Sequence, residues 1–266
     1  MPSKKIVMCP PDFFDIEYSI NPWMNPKIRV DKKNALQQYN SIKDSFKKTG
    51  VEVIEILPVK GLPDMIYTSN AGYSEGDIFI KANFKAHQRK HESDKVEKYF
   101  REKGYQIFDI PENIIFEGEG DLIRSKSKYF LGCGQRSDPM AKDYLEDIIG
   151  EKITTLELTD PNFYHLDTCF GPLNDDIVVI NESAFSEDSL VKIYARFQHV
   201  ITTNDTDNSV LGCNLVVVEK NVFLGKGISE ELQNNIKKFN YNLILPDMSE
   251  FLKGGGSVKC LVLEVF

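Results

Sequence analysis

Two segments carry residues whose types could do covalent chemistry. Cys260 lies seven residues from the C-terminus in FLKGGGSVKC, and His165 lies nearly a hundred residues upstream in FYHLDTCF. A thiol delivered by a glycine run, with a histidine flanked two residues on by an aspartate, is the pairing expected of a cysteine nucleophile and its proton shuttle. The plainer reading is a buried structural thiol and a satisfied histidine, since cysteine is among the residues most often found inside.

Other polar groups surround this pair in composition. Read as an extended segment, FYHLDTCF turns His165, Asp167 and Cys169 to one face, because side chains alternate along a strand. Three such donors suggest a metal, but no second His/Cys cluster completes a coordination shell, so an imidazole beside a carboxylate is expected to act as an acid-base group. In FEGEGDL, Glu117, Glu119 and Asp121 alternate with Gly118 and Gly120. Carboxylates so close repel unless a proton or cation sits among them, which points to a cationic ligand, or else to a solvated acidic turn. Asn21 in INPWM and Asn70 in MIYTSNAGY supply neutral amides beside apolar groups, as in a small-molecule pocket, although both segments are also turn formers. Arg89 in HQRKHE and Arg136 in GCGQRSDP could each clamp a substrate carboxylate through a bidentate fork or stand on the surface. The second is expected just before a helix N-terminus.

The elements that must position these groups repeat. Five amphipathic helical stretches are expected: residues 31 to 48 with Leu36, Tyr39, Ile42 and Phe46 at helical spacing, 93 to 103, one capped by Ser137 with Pro139 in its first turn, 187 to 196, and 229 to 238. Gly50, Gly104 and Gly150 close the first three. A β-rich run follows each helix, starting near positions 51, 105, 152, 199 and 241. The spacing, about 40 to 55 residues, is that of a repeated supersecondary unit. Short runs such as DIFI, KYFLG and DIVVI fill the gaps and make the unit strand, strand, helix, strand. Five units closing on an axis would form an α/β propeller; an ordinary open α/β sheet would alternate strands and helices too.

Composition sets the bounds. A chain of 266 residues can bury a large core in one domain or two. A formal net charge of −8 without any Lys/Arg cluster argues against nucleic acid. KKIVMCPP is too short for a signal peptide's apolar region or a membrane span, and five widely spaced cysteines without a CxxC fit a reducing compartment; a cytoplasmic protein is expected.

Taken together, EYSINPWM, LPDMIYTSNAGY, FEGEGD, FYHLDTCFGPL, the GCNLVVV segment and EFLKGGGSVKC resemble the guanidino-group-modifying (pentein) superfamily. The resemblance is strongest to the arginine dihydrolase branch, related to dimethylarginine dimethylaminohydrolases and arginine deiminases. It runs from about residue 17 to residue 263 and implies a five-bladed α/β propeller with residues 1–266 as a single catalytic domain. By the resemblance, Cys260 is the nucleophile that attacks the guanidinium carbon, and His165 protonates the departing amine and then activates water. Glu117 is similar to the catalytic carboxylate, though the spacing of FEGEGD leaves Glu117 and Glu119 both eligible. Asp121 and Asp167 would hold guanidinium nitrogens, Arg89 and Arg136 the substrate carboxylate, and the Gly254 carbonyl the α-amino group. Asn21 and Asn70 match the dihydrolases, where deiminase-type enzymes tend to carry a carboxylate at the position of Asn70. Ser257, Val258 and Gly171 depart from the residues usual in that branch and bear on the pocket lining.

The implied reaction takes L-arginine to L-ornithine, carbon dioxide and two ammonia through a covalent Cys-amidino intermediate, with no metal or organic cofactor. Plain deimination, dimethylarginine hydrolysis, amidino transfer and non-catalytic arginine binding are the competing readings. The expected partner is a small molecule, arginine or a related guanidine, and neither nucleic acid nor a membrane; homo-oligomerisation is left open.

Overall fold

One unit recurs five times in the computed structural model, which describes residues 4–266. The first complete copy has β3 (Gly72–Glu75) antiparallel to β4 (Ile78–Lys81), helix α2 (Lys90–Glu102), and β5 (Gln106–Asp109) parallel to β4. The same antiparallel-then-parallel order holds for β6 (Leu122–Ser125), β7 (Lys128–Cys133), α3 (Ala141–Ile149) and β8 (Ile153–Glu157). It holds again for β9 (Phe170–Pro172), β10 (Ile177–Ile180), α4 (Glu187–Arg196) and β11 (His199–Thr202). The fourth copy follows the short helix α5 (Asp205–Asn208) and comprises β12 (Val216–Val218), β13 (Asn221–Phe223), α6 (Glu230–Lys237) and β14 (Asn242–Ile244).

The fifth copy is assembled from both ends of the chain. β15 (Leu263–Val265), which follows helix α7 (Ser249–Leu252), pairs antiparallel with β1 (Lys5–Met8); β1 then runs through α1 (Lys32–Lys48) into the parallel β2 (Glu52–Glu55). The result is a mixed α/β fold of five separate three-stranded sheets, none of which closes on itself.

Local signals explain the helices. Asp31 caps α1 by accepting from the Lys33 and Asn34 amides, and Ser229 caps α6 from Leu232. Gly150 ends α3 at φ +80°, a left-handed turn that a side chain resists. The buried stripe of α1 is Ala35, Tyr39, Ile42 and Phe46; Leu36, expected to face inward, stands out in solvent because that stripe passes one residue before it. Phe46 continues inward to stack on Phe223 at 4.2 Å. The third helix also begins later than expected: Met140, not Ser137, precedes it, which leaves Arg136 outside its first turn. Ser137 is drawn away by two buried partners, donating to Asp121 Oδ2 at 2.6 Å and accepting from the Glu117 amide at 2.9 Å.

Candidate active site

The segments that enter the first strand of each unit are tight turns, and they gather the polar residues. Thr68–Ala71 leads into β3, Gly118–Gly120 into β6, Leu166–Thr168 into β9, and Lys259–Leu261 into β15, each a 3₁₀ turn. The turn at 68–71 packs on those at 118–120 and 259–261, and the turn at 118–120 also packs on that at 166–168. Repetition of the unit thus brings together side chains separated by up to 140 positions in sequence.

Turn geometry overturns one expectation. FYHLDTCF is not extended: Leu166–Thr168 is helical, and the Thr168 hydroxyl donates to the His165 carbonyl at 2.6 Å. Cys169 consequently lies in an apolar cluster with Phe130 and Phe170, its thiol on the His165 and Leu166 carbonyls and not on the side chains of His165 and Asp167. Among the described residues no three His, Cys, Asp or Glu side chains gather as a metal site.

His165 is fully buried, with Nε2 2.7 Å from Glu117 Oε2 and Nδ1 3.5 Å from the Asn70 amide nitrogen. An ionised carboxylate only accepts, so the network assigns a ring proton to Nε2 and turns Nδ1 toward the Asn70 amide donor. Glu117 also accepts from the Lys85 amide at 3.0 Å and from Arg136 Nη1 at 3.2 Å. Burial alone would raise its carboxyl, but the His165 hydrogen bond and the Arg136 charge outweigh that and hold it at about 2.

Glu119 goes the other way. Gly118 sits at φ +60°, and an added Cβ there would come within 2.6 Å of the Gly72 and Ser69 backbones. Past this kink Glu119 turns to Lys259, whose Nζ donates at 2.6 Å, and it accepts from the Glu264 amide at 3.0 Å. Of the two eligible carboxylates, the one beside the imidazole is therefore Glu117. Asp121 is occupied by protein donors: Leu166 N on Oδ1 at 3.1 Å, and Ser137 N and Oγ on Oδ2. It braces the turns that carry His165 and Glu117 more than it offers a free carboxylate, and burial lifts it to about 6 despite these bonds.

The Cys260 thiol is buried and donates to Asp167 Oδ2 at 3.3 Å, while Asp167 Oδ1 has no partner. Asn214 contacts the same sulfur, with Nδ2 3.2 Å from Sγ. Burial, then the Asp167 charge, push the thiol well above its usual range, and the Ser257 backbone amide and the Asn214 donor work against them. The glycine run exists because aromatic side chains lie on its backbone. A Cβ at Gly254 would meet Tyr67 Oη at 2.1 Å, one at Gly255 the Tyr164 hydroxyl at 2.8 Å, and one at Gly256 the Tyr67 ring at 2.3 Å. Tyr67 and Tyr164 donate to the Phe251 and Gly255 carbonyls, and Asn21 Nδ2 donates to the Gly254 carbonyl at 3.1 Å.

Both arginines are inside. Arg89 donates from Nε and Nη2 to Glu92 Oε2 and from Nη1 to Asn70 Oδ1 at 3.0 Å, with its plane over Phe84. Arg136 lies over Tyr164 and donates from Nη2 to the Ile20 carbonyl at 2.7 Å. Beside it opens a cavity of about 350 Å³ lined by Asn21, Lys85, Arg136 and Tyr164 among others. Reading the sequence singled out neither Asp64 nor Glu92, two buried carboxyl groups beside Arg89 that each keep one unpartnered oxygen. Asn214 and Lys259 were also passed over, although both lie within quoted motifs, GCNLVVV and SVKC.

Comparison with known proteins gives a consistent picture. The family model for N,N dimethylarginine dimethylhydrolase, eukaryotic, matches residues 17–266. The N(G),N(G)-dimethylarginine dimethylaminohydrolase of Mycobacterium tuberculosis is 34% identical over 99% of this chain and 86% of its own length. The bifunctional arginine dihydrolase/ornithine cyclodeaminase AgrE of Nostoc is 32% identical over 98% of this chain, which spans only 38% of that longer protein. Among solved structures, the product-bound N-terminal domain of the cyanobacterial arginine dihydrolase ArgZ superposes with a TM-score of 0.96 at 31% identity, covering 99% of this chain and 98% of that one.

Proposed function

We propose, from the premise that this chain belongs to the dimethylarginine dimethylaminohydrolase family, that it is a hydrolase of guanidino C–N bonds acting as an arginine dihydrolase. The observation that carries the finer reading is Asn70, a neutral amide held between Arg89 and His165 where a carboxylate would favour a cation. We also infer that the five units, joined through a sheet shared by both termini, form a closed five-bladed propeller, and that residues 1–266 are one catalytic domain.

Guanidinium is a resonance-stabilised, poor electrophile, so it needs a thiolate and fixed negative charge around it. In this reading the guanidinium sits against Asp167 and the other carboxylates, and its charge favours the Cys260 thiolate, the thiol proton passing to Nδ1 of His165. Attack by Sγ on the guanidinium carbon gives a tetrahedral adduct. His165, oriented by Glu117, protonates the departing amine, and ammonia leaves a Cys260 amidino-thioether. Water deprotonated by His165 then releases the ureido product. A second round on that neutral group ends in ornithine, carbon dioxide and a second ammonia. Arg89 and Arg136 hold the substrate carboxylate by releasing part of their hold on Glu92 and Glu117, Asn21 lies at the entry, and the Gly254 carbonyl takes the α-amino group beside Asn21.

The test is to count ammonia released per arginine consumed and to identify the amino-acid product, with Cys260→Ala alongside. Two ammonia with ornithine, lost in the variant, is the expected result. One ammonia with citrulline overturns the dihydrolase reading, and dimethylamine from dimethylarginine as the preferred reaction would assign the other activity of the family.

A further inference from the structure

Four partners converge on one buried carboxamide. Asn214 Oδ1 accepts from the backbone amides of Lys259 at 2.8 Å and Cys260 at 3.2 Å. Its Nδ2 reaches the Asp167 carbonyl at 3.0 Å and Cys260 Sγ at 3.2 Å. Two donors at one end and two acceptors at the other leave a single amide orientation in which all are satisfied. Asn214 is wholly buried and held in turn by its own backbone, whose amide donates to the Leu211 carbonyl at 2.9 Å. Leu211 stands at φ +55°, an uncommon conformation for a non-glycine residue, so the bend that presents Asn214 is specified locally.

We propose that Asn214 is the positioning residue of the nucleophile, fixing Cys260 against Asp167 and supplying a side-chain N–H that, with the backbone amide of Ser257, stabilises its thiolate. The inference rests on Cys260 being the nucleophile. A thiol sulfur is a weak acceptor and a thiolate a strong one, so an N–H aimed at Sγ favours the charged form. The remaining titratable neighbours give the thiolate little help. Asp167 is a carboxylate, Tyr67 and Tyr164 are neutral phenols, Lys259 on the same turn spends its charge on Glu119, and His165 donates to Glu117. The backbone bonds to residues 259 and 260 add a positional role: they tie the turn bearing the thiol, through the Asp167 carbonyl, to the turn bearing His165.

Asn214→Asp separates the two roles, since it keeps an acceptor for the two backbone amides and replaces the N–H donor with a second oxygen. Alkylation of Cys260 by iodoacetamide, followed by mass spectrometry of its peptide from pH 6 to 10, reads the thiolate without substrate. The apparent pKa for alkylation should rise by at least about one unit, which slows the reaction at pH 7 about tenfold, while the circular dichroism spectrum stays that of the wild type. Should that variant not fold, Asn214→Ser, smaller than the carboxamide, carries the same comparison. Coincident pH profiles for wild type and a folded variant overturn the proposal. A wild-type Cys260 no more reactive than the other four buried cysteines would instead withdraw the nucleophile itself, and this inference with it.

Discussion

Replacing Asn70 with aspartate should convert the enzyme toward single hydrolysis, and the structure sets the size of the effect. Asn70 is 2% exposed, with Oδ1 3.0 Å from Arg89 Nη1 and Nδ2 3.5 Å from His165 Nδ1. The site is tight, since a Cβ on Gly120 would lie 2.3 Å from Nδ2, so only an isosteric change tests charge alone. A hydrogen bond to a charged group contributes about 1.5–3 kcal/mol and a neutral one about 0.5–1.5. The introduced carboxylate therefore favours guanidinium over the neutral ureido group by about 1–2 kcal/mol, roughly 5- to 30-fold. It also faces Nδ1 while Glu117 faces Nε2, which places a carboxylate on each side of the imidazole. Amino-acid analysis at fixed arginine consumption should show the citrulline share rising by that factor and ammonia falling from two per arginine toward one. An active variant with an unchanged ornithine to citrulline ratio would refute the role given to Asn70.

Two further outcomes follow from the same geometry. Glu117→Gln should lower turnover about 10²- to 10⁴-fold by loosening His165; since the wild-type carboxyl is held at about 2, its stabilisation is complete above an unfolded value near 4.5 and is lost as pH falls through 2, so the gap in unfolding free energy between the two proteins should shrink by about 2 kcal/mol from pH 5 to pH 3, and a constant gap contradicts the ion-pair account. Gly256→Ala drives a methyl to 2.3 Å from the Tyr67 ring and 3.1 Å from Cys260 Cβ, and should cost about 1–3 kcal/mol of stability by overpacking together with most of the activity; an unchanged melting temperature and full turnover would mean the glycine run is not clamped by Tyr67.

The repeat was legible because its signals are local. Strands expected to start near 51, 105, 152, 199 and 241 begin at Glu52, Gln106, Ile153, His199 and Asn242, each announced by a helix end and turn a few residues away. Residue types in the site could be read for the same reason, as each sits in a short motif. Their partners could not. Glu117 and Glu119 differ by two positions and face opposite ways only because Gly118 takes φ +60° against the Gly72 backbone, a contact with another unit. Ser137 looked like a helix cap and is instead bound to Asp121, sixteen residues back. Asn214 carries no signature that separates it from any turn asparagine until the C-terminal turn closes on it.

On the proposed dihydrolase reading one site hydrolyses two different groups in succession, and the balance of buried charge bears on how it would do so. Asp64, Glu92, Glu117, Glu119, Asp121 and Asp167 lie inside beside Arg89, Arg136, Lys259 and His165. Burial pushes up every one of these carboxyls, and only at Glu117 is it outweighed, so the site favours an entering cation. Guanidinium supplies positive charge beside Asp167 and the thiol. The ureido group supplies none. A carboxylate at position 70 would add one more negative charge at that step, whereas the amide leaves Arg89 and the raised carboxyls able to accommodate a neutral substrate. On the dihydrolase reading, the neutrality of Asn70 and the upward push of burial on Asp167 act together, since both limit the negative charge left in the site once the substrate has lost its positive charge.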